Sequence, residues 1–166
     1  MEESRSIITA TPPRTESSVP SSWVDLRYCD PAGLDSQGWR DVAVALKPAI
    51  DRSCEMDLVK TLRSVKDYDS ALWLLLSPQD ELVGAVVCNV LEFQSGYKVL
   101  LVQSGANAGA KISWANMRAV IRHFEDIAVA SDCDAVRIVG RKGWGRVYSD
   151  FTEVSRTFDK VVRKGH

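Results

Sequence analysis

The sequence predicts an α/β fold in which a mixed, mostly antiparallel central sheet carries helices on both of its faces. Two apolar runs, at 71–76 and 82–91, are separated by Pro78-Gln79-Asp80. These residue types favour a turn, so the two runs are expected to form an antiparallel hairpin. Both runs are apolar at nearly every position, so we expect both faces of the sheet to be covered. A long amphipathic stretch beginning at Trp114 supplies one covering helix.

The first elements are a strand and a helix. The segment from Trp23 to Cys29 alternates well enough for a strand, and Asp30-Pro31 stops it. Apolar residues then recur at helical spacing over residues 36–54, which predicts the first helix. Pro48 lacks an amide donor, so we expect a break or kink beside Lys47.

A second helix and three strands follow. Residues 55–67 predict the helix, because apolar residues repeat there every three positions. The hairpin described above provides two strands, and Tyr97 to Ser104 is the next central strand. The apolar residues expected to anchor this second helix are Met56, Val59, Leu62 and Val65.

The last third of the chain predicts a long helix followed by two more strands. Ser113 is a suitable N-cap for that helix. A strand at 135–140, a short helix or turn at 143–151 and a final strand at 153–163 complete the predicted order. The apolar stripe of the long helix is formed by Trp114, Met117, Val120, Ile121, Phe124 and Ile127.

Composition indicates one ordinary domain with a substantial core. The chain has 166 residues, 45% of them hydrophobic, and a formal net charge of -1. This charge gives no global argument for nucleic-acid or membrane binding, and no apolar run is long enough to span a bilayer. Four separated cysteines without a Cys-x-x-Cys pair, and only two histidines, indicate free thiols in a reducing compartment and no metal site.

The N-terminal segment differs in composition from the rest. Residues 1–22 are rich in Ser, Thr and Pro and contain few large apolar groups, so we expect a flexible arm ahead of a single domain at 23–166. A docking segment that becomes ordered on a partner is the alternative. The segment has no apolar h-region, so it is not a secretory signal, and we expect a cytoplasmic protein.

The segment from Lys98 to Phe151 runs as strand, Gly/Ala-rich loop, amphipathic helix, strand and tyrosine-bearing short helix. This order resembles the GNAT acyltransferases, which have the acyl-CoA N-acyltransferase fold, and the similarity spans roughly residues 23–164. More narrowly, "CDAVRIVGRKGWGRV" resembles the short, degenerate GNAT-like proteins encoded by tailed phages and prophages.

The resemblance implies that the loop after the fourth strand holds the pyrophosphate of acetyl-CoA through backbone amides and a helix N-terminus. The family pattern is Arg/Gln-x-x-Gly-x-Gly/Ala, in which Gln103 fits the first position and alanines take the small-residue positions, with the glycines out of step. A strand-to-helix connection of any kind can also need small residues. The implied cofactor-binding set is Gln103, Ser104, Gly105, Ala106, Ala108, Gly109 and Lys111.

The resemblance also implies direct attack of a substrate amine on the thioester, with Tyr148 protonating the leaving thiolate. Thr152-Glu153 stands where the family usually carries Gly-Phe, and a half-buried packing role for Tyr148 is equally open. Glu92, at the end of the third strand, is the nearest candidate for a general base, against the simpler interpretation of a solvated carboxylate. His123 is interpreted as a boundary residue of the long helix.

Three functions stay open from the sequence. The most concrete is acetyl transfer from acetyl-CoA to an amine. The second is a catalytically inactive phage protein on the same fold, with a role in the virion or against a host protein. The third is nucleic-acid binding, which the net charge argues against, through Arg141, Lys142, Arg146, Arg163 and Lys164.

Overall fold

The computed structural model describes residues 25–53, 55–107, 114–138 and 150–152. Within these residues the chain forms five strands and three α-helices, in the order predicted. The predicted arm, short helix and final strand lie outside, or almost wholly outside, the described residues. The elements are β1 (Asp25–Cys29), α1 (Ser36–Asp51), α2 (Leu58–Lys66), β2 (Ala71–Leu76), β3 (Leu82–Glu92), β4 (Lys98–Asn107), α3 (Trp114–Ala130) and β5 (Ala135–Ile138).

The strands form one sheet in the order β1-β2-β3-β4-β5. The first four are antiparallel to their neighbours, whereas β5 runs parallel to β4 because α3 connects the two. The predicted hairpin turn is confirmed: Ser77 N–H donates to the Glu81 carbonyl at 2.8 Å, and Asp80 takes a positive φ of 61°. The predicted fold class, a mostly antiparallel α/β sheet, is therefore what the chain forms.

Helices cover both faces of the sheet, as the apolar strands required. Because neighbouring residues of a strand point to opposite faces, Leu72 belongs to the core under α1 and α2 while Trp73 belongs to the core under α3. Val86 and Val87 of β3 divide in the same way. The α3 side also holds Leu75, Cys88, Leu100, Val102, Val120, Phe124, Ile127 and Ala128, and the other side holds Cys29, Val42, Ala45, Leu46, Ile50, Val65 and Ala85.

Aspartate side chains start the first two α-helices. The Asp35 Oδ1 atom accepts the Gly38 amide at 2.7 Å, and the Asp57 Oδ1 atom accepts the Lys60 amide at 2.9 Å. These bonds satisfy amide donors that the helix itself cannot pair. The corresponding prediction for α3, an N-cap at Ser113, falls on a residue outside the described part of the chain.

Two sequence predictions about the helices were wrong. The expected break beside Lys47 does not occur, since α1 continues through Pro48 to Asp51. Val59 is 63% exposed and does not anchor α2. A repeat of three residues rotates by about 60° around a helix at each step, so it cannot stay on one face. Thr61 and Val65 are the buried residues of α2, with Leu58 and Leu62 partly buried beside them.

Candidate functional site

The most distinctive feature of the sheet is a β-bulge in β4. Cys88 of β3 lies opposite Val102, but the preceding residue, Val87, lies opposite Ser104. Strand β4 therefore contains one extra residue, Gln103, at this point. A bulge bends its strand and increases the local twist, so it changes the direction of β4 beyond residue 103.

Strand β4 also pairs with β5 on the N-terminal side of the bulge. That pairing runs from Val99 with Ala135 to Val102 with Ile138, one residue before the bulge. Strand β4 then continues to Asn107 with β3 as its partner.

Helix α3 begins seven residues after β4 ends and packs against β4 and β5. Its 17 residues place the positive end of the helix dipole near Trp114. The bulged strand β4, the helix α3 and the parallel strand β5 therefore follow one another in a single crossover connection.

The structure places the predicted cofactor-binding residues in two groups. Gln103 and Ser104 lie in β4, within the predicted strand. Gly105 and Ala106 also belong to β4 and not to the predicted loop, because the strand continues to Asn107. The backbone of Gly105 lies opposite Val86 of β3. Ala108, Gly109 and Lys111 lie outside the described residues, as does the predicted catalytic residue Tyr148.

Glu92 is not brought near this group of residues. It lies opposite Lys98 at the start of β4, and its carboxylate is 3.8 Å from the Lys98 Nζ atom. Gln103 is five residues further along the strand, which corresponds to about 16 Å. The register therefore separates Glu92 from the bulge. Glu92 is an exposed carboxylate at the end of β3.

A buried aromatic group lies on the α3 side of the sheet, near β1. The Trp73 ring contacts Tyr28, His123 and Phe124 edge-to-face, at centroid distances of 5.6, 5.3 and 6.0 Å. The Nε2 atom of His123 is buried without a hydrogen-bond partner among the described residues. Burial lowers the pKa of His123 below its ordinary value of 6.5, which favours the neutral imidazole.

Sequence reasoning interpreted His123 only as a boundary residue. Its position beside Phe124, at the edge of the apolar stripe, was the signal that its ring is partly buried. The partner ring belongs to β2, about 50 residues earlier in the chain, so no local pattern could have revealed the contact.

Three cysteines in the described part of the chain are free thiols, Cys29, Cys88 and Cys133. Burial raises the pKa of the Cys88 thiol to about 12, so this thiol is protonated at neutral pH. No group of three or more His, Cys, Asp or Glu residues that could hold a metal ion occurs within the described ranges. No α-helix there is both long enough and apolar enough to cross a bilayer.

Solved structures show which fold this arrangement is. The chain is similar to a ribosomal-protein-alanine N-acetyltransferase from Brucella melitensis biovar Abortus 2308, at 17% identity and a TM-score of 0.60, over 86% of this chain and 99% of that one. It is similar to a GNAT family acetyltransferase from Staphylococcus aureus, at 13% identity and a TM-score of 0.59, over 84% and 99%. The chain has the GNAT fold.

A third structure of this fold is an acetyltransferase from Trypanosoma brucei, at 12% identity and a TM-score of 0.58, over 84% of this chain and 99% of that one. No protein-family model matches the sequence, and no curated protein matches it. At sequence identities of 12–17%, the structural similarity establishes the GNAT fold but not the activity, which depends on this chain's own residues.

Proposed function

We propose that this GNAT-fold chain transfers an acetyl group from acetyl-CoA to an amine acceptor. The observation that carries the proposal is the bulge at Gln103 of β4, in the strand that pairs parallel with β5 and precedes α3. The solved structures with this fold include acetyltransferases, which supports the same class of chemistry here.

Strand β4 offers backbone groups that an extended ligand can use. Residues 104–107 pair with β3 on one side, and the amides and carbonyls on the other side of an extended strand can hydrogen-bond to a ligand that lies alongside it. An extended arm with amide groups, such as the pantetheine of coenzyme A, can add to that side as a further strand would. We propose that the arm lies beside Ser104 and Gly105, where the bulge changes the course of β4.

The start of α3 suits the anionic end of the same ligand. Unpaired amides in the first turn and the helix dipole favour a phosphate at that position. The residues between β4 and α3 include Ala108, Gly109 and Lys111, and we propose that they line the pyrophosphate. Small side chains let an anion approach the backbone, and a lysine adds a charge-assisted contact.

In the proposed reaction, the neutral amine of the acceptor attacks the thioester carbonyl carbon, and a new C–N bond forms as the C–S bond breaks. The coenzyme A sulfur leaves as a thiolate and takes a proton from the hydroxyl of Tyr148. The amine nitrogen loses a proton to solvent. Glu92 has no part in this proposal, since the register of β3 and β4 places it at the other end of the strand.

Binding of coenzyme A is the first test. We expect calorimetry to detect acetyl-CoA, and amide hydrogen exchange to slow in residues 103–107 and in the first turn of α3 when the ligand is added. Exchange in the β3–β4 turn at residues 93–97 should not change, because that turn lies at the opposite end of β4. Absence of heat and of protection at millimolar ligand would contradict the proposal.

Tyr148→Phe tests the catalytic step separately from binding. The variant should bind acetyl-CoA as the parent chain does, but its kcat on a small amine should fall by about 100-fold, within the range for loss of a general acid. Tyr97→Phe is the matched control, because Tyr97 is a 42% exposed tyrosine on the β3–β4 turn. Equal turnover by both variants would remove Tyr148 from the mechanism.

The second candidate function is a non-catalytic GNAT-fold protein that acts in a phage particle or on a host protein. It is favoured by the distance of Glu92 from the bulge and by Thr152-Glu153, which departs from the family pattern. The two candidates give different results in one experiment. A chain that protects residues 103–107 against exchange on adding coenzyme A, yet turns over no amine, would support this second function.

A further inference from the structure

His123 lies on α3 with its ring against the sheet. It contacts the Trp73 indole of β2 edge-to-face, with ring centroids 5.3 Å apart and an interplanar angle of 73°. Trp73 is only 1% exposed, and it packs in turn on Tyr28 of β1. His123 therefore contributes to the contact that joins α3 to the β1–β2 side of the sheet.

Only the neutral form of His123 suits this environment. The imidazolium ion carries an N–H on both ring nitrogens, so protonation requires a donor at Nε2. That atom is buried, and no acceptor among the described residues faces it. A charged group with an unsatisfied buried donor costs considerably more free energy than the neutral ring.

The charged groups around the ring do not reverse this preference. Asp126 on α3 and Asp25 on β1 both act to raise the pKa of His123, but desolvation by burial is the largest effect and lowers it. The Asp25 carboxylate is also paired with the Arg27 guanidinium at 2.7 Å, which offsets its charge. Tyr28 of β1 and Cys88 of β3, next to Trp73, are uncharged at neutral pH because burial raises the pKa of each.

We propose that His123 is a proton-sensitive latch that holds α3 on the β1–β2 side of the sheet when neutral and releases it when protonated. The charged ring must reach water, and to do so it has to leave the Trp73 indole, which removes a contact between α3 and β2. Phe124 and Val120 pack in the same core as Trp73, so loss of the His123 contact weakens the packing of α3 on this side of the sheet. The latch is independent of acetyl transfer and stands whether or not the chain binds acetyl-CoA.

Proton nuclear magnetic resonance tests the latch directly, because the chain contains only two histidines. The ring Hε1 signals of the full chain are titrated from pH 8 to pH 4, and His166→Gln assigns which signal belongs to His123. We expect the His123 signal to titrate below 6.5, its ordinary value. A midpoint at or above 6.5 would overturn the latch, since it would mean that the indole stabilises the charged ring.

The pH dependence of unfolding gives the second measurement. The unfolded chain takes up the His123 proton near pH 6.5, whereas the folded chain takes it up only at lower pH. The stabilisation is therefore complete above pH 6.5 and is lost as the pH falls toward the folded value. Over that window the folding equilibrium constant should fall by up to about tenfold per pH unit more than in a variant without the titrating ring.

His123→Phe is that variant, because it keeps an aromatic ring against Trp73 and cannot be protonated. Its unfolding curve should change less between pH 7 and pH 5, and amides of α3 should stay protected at pH 5 while those of the parent chain exchange faster. His123→Gln provides the same comparison with a polar uncharged side chain. Parallel pH curves for the parent chain and both variants would overturn the latch.

Discussion

Two helices of this chain end on residues that hold a left-handed backbone without being glycine. At the end of α3, Asp132 has a φ of 56°, and its amide donates to the Val129 carbonyl at 3.1 Å while the next amide, from Cys133, donates to Ala128 at 2.8 Å. These two bonds form a Schellman motif, in which the left-handed position usually belongs to glycine. Cys133 completes the motif by packing against the α3 core.

Tyr68 occupies the same position at the end of α2, with a φ of 60°. Its hydroxyl donates to the Asp30 carboxylate at 2.8 Å, so the side chain joins α2 to the end of β1. The Ala32 amide and this hydroxyl together lower the pKa of Asp30. The left-handed conformation of Tyr68 is strained, but its side chain makes a long-range hydrogen bond to Asp30 that offsets the strain. No described contact of the Asp132 side chain offsets the strain at position 132 in this way.

The substitution Asp132→Gly should therefore stabilise the chain. Glycine adopts the left-handed conformation without a steric penalty, although part of that gain is offset by the greater entropy of the unfolded chain. We expect the free energy of unfolding to rise by about 0.5–1 kcal/mol. Urea denaturation followed by circular dichroism gives the value.

Asp132→Ala is the matched control for this substitution, because it removes the carboxylate and keeps the strain. It should be no more stable than the parent chain. If the alanine variant gains as much as the glycine variant, then the carboxylate is responsible and not the backbone conformation.

At the scale of the elements, α1 tolerates a proline within its last turns. Pro48 is exposed and has no amide to donate to the Val44 carbonyl, four residues earlier, yet the helix continues to Asp51. Ala45, Leu46 and Ile50 on the opposite face are buried against the sheet. Burial of this face, which supplies a few kcal/mol per large side chain, is sufficient to hold the turn that the proline weakens.

Pro48→Ala should strengthen α1. The new amide at position 48 can donate to Val44, and the clash of the proline ring with the preceding turn is removed. We expect a rise of about 1–3 kcal/mol in the free energy of unfolding, less than the full helix-interior penalty because proline also restricts the unfolded chain. Thermal unfolding by calorimetry measures it, and an unchanged or lower melting temperature would show that the proline is not a weak point.

The elements also show how far the sequence could predict this molecule. Turn residues such as Pro78-Gln79-Asp80 act locally, so the turn could be predicted from the sequence, whereas the caps formed by Asp35 and Asp57 were not predicted. The end of β4 and the bulge at Gln103 depend on which residues of β3 lie opposite, and this register is set by packing of the whole sheet. Of the predicted cofactor-binding residues, Gly105 and Ala106 were therefore expected in a loop where the structure has a strand.

At the scale of the whole molecule, the sheet separates two cores. Val42 of α1, 1% exposed, packs on one face with Leu46 and Val87, and Val120 of α3, 5% exposed, packs on the other with Phe124 and Val86. Among the described residues, the two cores have no side chain in common and are separated by the backbone of the strands. A cavity on one side should then be relieved by movement on that side alone, because close-packed side chains transmit strain to their own neighbours.

Double-mutant cycles test whether the cores are independent. Val42→Ala and Val120→Ala should each cost about 2 kcal/mol, from two lost methyl groups and the cavity left behind. Their effects should add to within about 0.5 kcal/mol when combined. Phe124→Leu combined with Val120→Ala is the comparison within one core, where the side chains are neighbours one helical turn apart, and a coupling above about 0.5 kcal/mol is expected. If the coupling energy across the sheet equals that within one core, the strands must move when either core is disturbed. The backbone of β4 beside the bulge would then respond to substitutions in α1 as readily as to substitutions in α3.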